Sequence, residues 1–275
     1  MGDAADPLAR IAAALERLAP PPPAMAEWGA APAFVWQGGS ARAVPRIEAP
    51  ALNLLRGVDA QKALVVGNVG RLARGHAAHD MLLWGACGMG KSALVRASVA
   101  AAQATAPGSI ALVQVAGEAL GTLAALFAAL GQSAGHFLVF IDDLGFEDGD
   151  ASGPRALRSW LEGGVEARPG NVRLAVTSNR RAIVARHLAE QDDPINPRDA
   201  VDDRLALADR FGLSIGFHVC SQDDYLAIIA GYATAHALQF DPADALEWAK
   251  RRGARSGRVA WHYVAELAGR AGKSL

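Results

Sequence analysis

An apolar run, Met81-Leu82-Leu83-Trp84, leads directly into Gly85-Ala86-Cys87-Gly88-Met89-Gly90-Lys91-Ser92 and out through Ala93-Leu94-Val95-Arg96-Ala97. The entry segment reads as a buried strand and the exit segment as a helix. Three glycines between them let the backbone curl in ways that a side chain would obstruct. Such a curl turns successive N–H groups inward, and the helix N-terminus adds partial positive charge at the same point. The spacing fits G-x-x-x-x-G-K-[ST], a loop that cradles the phosphates of a nucleoside triphosphate. In that arrangement Lys91 reaches the β- and γ-phosphates and Ser92 offers its hydroxyl to Mg²⁺. Gly85, Ala86, Cys87, Gly88, Met89, Gly90 and Ala93 supply the rest of the cradle. A strand, loop and helix in this order demand a parallel sheet with its ligand at the carboxyl ends of the strands.

The remaining chain supplies that sheet. Apolar runs at 110–115, 137–141, 172–177 and 215–219 read as four further strands, making five with residues 81–84. Helical patterns fall at 52–69, 118–130 and 153–162, and Leu54, Val58, Leu64 and Val65 are the expected buried positions of the first. Strands alternating with helices imply right-handed crossovers and a sheet covered on both faces. Beyond residue 220 the strand signals end, and 221–236, 241–252 and 257–270 read as helices, with Asp241-Pro242 a strong helix start. At the front, Leu8, Ile11, Leu15 and Leu18 lie on one face of a helix, which Pro20 to Pro23 stop with a stiff extended spacer. Residues 24–45, with Trp28, Phe34 and Trp36 among Ala, Gly and Pro, receive no element. The expected organisation is an N-terminal helix and linker over 1–45, an α/β domain over 46–219 and a helical lid over 220–275.

Composition narrows the class. With 27 basic residues against 28 acidic and 51% apolar, the chain carries no global signature of a nucleic-acid or membrane-surface protein. No segment approaches the roughly 18 continuous apolar residues of a membrane span. Asp3 and Asp6 stand where a signal peptide would be basic. Two cysteines, Cys87 and Cys220, are too few for a disulfide framework, which suits a reducing cytoplasm. Cys87, inside the loop, is either a tolerated small residue or a point where thiol reagents block the site.

Other residues join the loop by position. The strand at 137–141 ends in Asp142-Asp143. Asp142 would hold Mg²⁺ alongside Ser92, and Asp143 would orient the attacking water, with Glu147 four residues on as its substitute. Thr177-Ser178-Asn179 ends the next strand; the Asn179 amide would meet the γ-phosphate or the water, or else cap the following helix. Arg210, in Asp209-Arg210-Phe211-Gly212, is either a guanidinium that reaches a neighbouring subunit's γ-phosphate or half of a surface ion pair. Arg258 opens the last helix, either over the phosphates or on a solvated basic face with Lys250, Arg251, Arg252 and Arg255.

Taken in order, these segments resemble the AAA+ ATPases over roughly residues 46–270, and more narrowly a bacterial AAA+ group of unknown function. The narrower likeness lies in Leu83-Trp84-Gly85, Asp142 to Glu147, Thr177 to Arg181 and Asp209 to Leu213. The Asp-Arg-Phe-Gly segment is also similar to the arginine-finger box of the Holliday-junction branch-migration motor. The resemblance implies ATP and Mg²⁺ as ligands, a homo-oligomer with nucleotide sites shared between subunits, and a protein or nucleic-acid client. It implies Asn179 as first sensor, Arg258 as second sensor and Arg210 as a finger acting in trans, with Arg204 as the other candidate. It also implies that Leu54-Leu55-Arg56-Gly57-Val58 helps to form the adenine pocket. Two departures stand out: Asp143 replaces the usual Glu, and no aromatic pore-loop pattern follows the second strand. Two functions fit, an ATP-hydrolysing motor or remodelling protein and a nucleotide-gated assembly module with slow or no hydrolysis.

Overall fold

The structure, a computed structural model, describes residues 11, 26–144, 157, 160–161, 168–179 and 209–275. Among the described residues the sheet has seven strands rather than the five read from the sequence. In chain order they are β1 (Ala33–Gln37), β2 (Ser40–Val44), β3 (Met81–Gly85), β4 (Ala111–Val115), β5 (Phe137–Ile141), β6 (Val172–Ser178) and β7 (Leu213–Phe217). In space they run β2-β1-β4-β5-β6-β3-β7. Every pairing is parallel except β1 with β2, a hairpin added to the β4 edge from the stretch that received no element.

The strands are apolar along their whole length because both faces are covered. Met81 and Leu83 point into one core with Leu138, Phe140 and Ala175, while Leu82 points into the other with Val139, Ile141, Leu174 and Val176. The first core is closed by α1 (Asp59–Ala73) and α2 (Lys91–Thr105), the second by α3 (Leu123–Gly131) and the hairpin aromatics Phe34 and Trp36. Three further helices, α4 (Gln222–Ala235), α5 (Pro242–Arg251) and α6 (Gly257–Arg270), follow the last strand in the segment expected to be a lid, and they keep that label. Their fully buried Tyr225 and Tyr263 join the first core, so lid and sheet share one apolar cluster.

Several boundaries differ from expectation. The helix read over 52–69 is a 3-10 turn, Leu52–Leu54, then a break, then α1. Gly57, at φ +72, turns the chain there. Val65, Asn68, Val69 and Leu72 form the buried stripe of α1, and Leu64 lies beside it, 50% exposed rather than buried. The segment 118–130 divides into a 3-10 stretch, Gly117–Thr122, and α3. β7 lies two residues earlier than read, because Leu213 to Phe217 pair with Met81 to Gly85. Val219, expected in that strand, is 60% exposed. Of the front helix only Ile11 is described, and most of the segment 153–162 also lies outside the described residues.

Between β3 and β4 the chain crosses over β6 and β5, then returns beside β3 through those two strands. The carboxyl ends of β3, β5 and β6 therefore meet at the point where strand order reverses, which is where open α/β sheets bind ligands.

Candidate functional site

The loop after β3 is shaped by what surrounds it. Gly85 has φ +118, and a Cβ there would collide with the carbonyl oxygen of Phe217 on β7, which accepts the Ala86 N–H at 2.9 Å. Gly88 has φ +75, and a Cβ there would lie 2.9 Å from Ser256 Oγ and 3.1 Å from Arg258 Cβ. Gly90, left-handed at φ 88, is the residue from which α2 starts. The loop thus lies between β7 on one side and the lid on the other.

Lys91 is buried with its ammonium fully engaged. Its Nζ donates to Gly85 O, Ala86 O and Asn179 Oδ1, each at 2.9 Å, which uses all three N–H bonds. Burial pulls its pKa down, against the opposing pull of Cys87, Asp143 and Asp142 nearby. From Asn179 the hydrogen bonds continue: its Nδ2 donates to Asp143 Oδ1 at 2.6 Å, and the Asp143 N–H donates to Thr177 Oγ1 at 2.8 Å. Thr177 Oγ1 and Ser92 Oγ both donate to Asp142 Oδ1, each at 2.6 Å. Asp143 holds φ +53, a left-handed backbone that Asp tolerates better than most residues, and this sets its carboxylate apart from that of Asp142. The ends of β5 and β6 and the start of α2 are thereby tied together at the mouth of the loop.

These groups face a cavity of about 730 Å³, within the ~300–1,000 Å³ span of small-molecule sites. Gly88 to Ala93, Asp142, Asp143, Thr177 and Asn179 line one end, and Leu54, Leu55 and Val58 line an apolar wall. Gly57 is outside the lining and packs against the Asp224 side chain instead. The lid adds Ile228, Tyr232, His236 and Trp261, which the sequence reading missed. Tyr232 meets Trp261 edge to face at 5.0 Å between ring centres, and His236 lies 6.2 Å from the same ring. Ile228, Tyr232 and His236 recur four residues apart along α4 and its C-cap, a helical-face spacing that by itself names no ligand, and Trp261 joins them from α6.

Arg258 also faces the cavity. Its backbone N–H donates to Gly88 O at 3.1 Å and its Nη1 lies 3.5 Å from Cys87 Sγ. Ser256 caps α6 by accepting the Val259 N–H at 3.2 Å, so the lid helix starts against the loop. Arg210 stands apart, in the turn before the amino end of β7, whereas the loop meets the carboxyl end of that strand. Glu147 and Arg204 lie outside the described residues.

A triphosphate and a hydrated Mg²⁺ fit these residues. The glycine cradle has no room for side chains at Gly85 and Gly88, a buried ammonium sits behind it, and one hydroxyl and one carboxylate meet beside it. Mg²⁺ is usually held by one or two protein oxygens plus phosphates and water, which is what Ser92 and Asp142 offer. Among the described residues there is no cluster of three or more acidic, His or Cys side chains that would form a closed metal cage.

The family described as "Protein of unknown function (DUF815)" matches residues 29–271. The chain belongs to this family. Its fold is that of the AAA+ ATPases RuvB and ORC1. A point variant of Thermotoga maritima RuvB superposes with a TM-score of 0.53 at 18% identity, covering 81% of this chain and 66% of that one. Another structure of the same protein, described as a Holliday junction branch migration motor, gives 0.50 at 18% identity, with 80% and 68% covered. Aeropyrum pernix ORC1, solved in complex with DNA, gives 0.57 at 15% identity, with 80% and 65% covered. The chain thus spans about two thirds of the length of these structures. No curated protein matches the sequence. Among the described residues, no helix is long and apolar enough to cross a membrane.

Proposed function

We propose that this DUF815 protein binds ATP with Mg²⁺ and hydrolyses it as an AAA+ motor or remodelling protein, assembled with copies of itself and acting on a macromolecular client. The observation that carries this reading is the run of hydrogen bonds from Lys91 through Asn179 and Asp143 to Thr177, Asp142 and Ser92, set at one end of a cavity with an apolar wall. Loop N–H groups hold the β- and γ-phosphates together with the Lys91 ammonium, which exchanges its bonds to the loop carbonyls of Gly85 and Ala86 for phosphate oxygens, while Leu54, Leu55 and Val58 face the base. Ser92 and Asp142 hold Mg²⁺, which when bound neutralises charge on the phosphate oxygens. Asp143 accepts a hydrogen bond from the attacking water and orients it. Asn179, already bonded to both Lys91 and Asp143, positions that carboxylate relative to the γ-phosphate. Arg258 links phosphate occupancy to the lid, because its backbone and guanidinium both contact the loop.

A second reading, an ATP-gated assembly module with little hydrolysis, is favoured by one observation. Asp143 is shorter than the Glu usual among AAA+ ATPases and is tied to Asn179 at 2.6 Å. Steady-state phosphate release across a range of protein concentrations separates the two. Turnover that rises with concentration fits the motor; ATP-dependent assembly with negligible release fits the module. Calorimetry tests the site common to both. Lys91→Ala should abolish tight ATP binding, and unaltered affinity would refute the assignment of the loop.

A further inference from the structure

Arg96 lies on α2 one turn beyond Ser92 and Ala93, and these three residues line the same cavity. Residues three and four apart share a helix face, and long helical side chains lean toward the helix N-terminus. The Arg96 guanidinium therefore extends back toward the phosphate loop. It is half-buried, and its Nε is buried with no hydrogen-bond partner. Among the described residues the Arg96 side chain makes no hydrogen bond or ion pair.

The carboxylates of the cavity are committed elsewhere. Asp142 accepts from Ser92 and Thr177, Asp143 from Asn179, and Glu48 pairs with Arg46 at 2.6 Å. A fixed positive charge on a cavity-lining residue, with its Nε already desolvated and its side chain bonded to no group among the described residues, calls for an anionic oxygen supplied by the ligand. Lys91 already serves the β- and γ-phosphates in the proposed site. Arg96, further along the helix from Lys91, faces the next anionic group toward the sugar.

We propose that Arg96 binds the α-phosphate of the nucleotide. This rests on the nucleotide site proposed above. The experiment is displacement of a fluorescent ADP analogue by adenosine, AMP, ADP and ATP, comparing the full chain with Arg96→Met and Arg96→Lys, and recording the melting temperature of each without ligand. Arg96→Met should weaken AMP, ADP and ATP by the same factor, about tenfold for one charge-assisted contact, and leave adenosine unchanged. Arg96→Lys should recover part of the loss. Wild-type affinity of Arg96→Met for all three nucleotides overturns the role of Arg96 while leaving the nucleotide site intact. A loss confined to ATP, or one shared equally by adenosine, overturns it too. If the wild-type chain binds neither the analogue nor ATP, the site itself fails and the proposal fails with it.

Discussion

At the residue scale, the two cysteines have opposite environments. Cys87 is exposed in the loop after β3, beside the Arg258 guanidinium. Cys220 is buried, and burial first, then the neighbouring Asp224, pushes its thiol up to about 11. Thiolate is the reactive form, so iodoacetamide at pH 8 should modify Cys87 and spare Cys220 in the folded protein. Mass spectrometry should find one adduct per chain, on Cys87, with labelling slowed about tenfold by Mg-ATP if the nucleotide covers the loop. Equal labelling with and without nucleotide would remove the loop from the binding site. The same shift has a sign in stability. The folded pKa lies above the unfolded value, so this contribution is complete below about pH 9 and declines as pH rises toward 11. The loop itself was legible because its chemistry is local: eight consecutive residues specify cradle, ammonium and hydroxyl. Tyr232 and Trp261 were not, because only packing of the lid against α2 and the 3-10 turn brings them to the cavity; Arg96, one turn beyond Ser92 on the same helix, was within reach of spacing alone.

At the element scale, the apolar wall depends on a clamp. Lys62 on α1 donates to Leu55 O at 2.8 Å and Leu52 O at 3.4 Å, and pairs with Asp59 at 2.7 Å. Those carbonyls belong to the turn that carries Leu54 and Leu55 into the cavity. Lys62→Met leaves them without this donor and should weaken ATP about five- to tenfold, while inorganic tripolyphosphate binds as before. Lys62→Arg should stay close to wild type. Calorimetry with both ligands checks this; an equal loss for tripolyphosphate would mean that the clamp supports the whole fold rather than the base wall. The missed hairpin teaches a related lesson. Phe34 and Trp36 alternate as buried residues, and Gly38-Gly39, both at positive φ, make the two-residue turn that joins β1 to β2. Gly-Gly is a turn signal legible in the sequence, although residues 24–45 received no element. The partner strand Ser40–Val44 was not legible, because it is an edge strand with no fully buried residue and therefore no alternation to read.

At the scale of the whole molecule, the position of Arg210 separates two ways of completing the site. It precedes β7 at the amino end, and the loop contacts Phe217 at the carboxyl end. At ~3.3 Å per residue the strand alone puts them on the order of 15 Å apart, beyond the reach of an arginine side chain. Arg210 therefore cannot serve the phosphates of its own chain in this fold, and any catalytic role requires a neighbour. Arg210→Ala should bind ATP like wild type but lose turnover by about 10³-fold or more, the scale of a trans arginine. Lys91→Ala should lose binding. Mixing the two inactive proteins creates interfaces in which an intact loop faces an intact Arg210, and part of the activity should return. Turnover in the mixture is the measurement. An Arg210→Ala protein with undiminished turnover, or a mixture that assembles by light scattering but stays inactive, would confine Arg210 to a structural ion pair. The rescue succeeds only if the sites are shared, so the same titration reports on assembly as well as on chemistry.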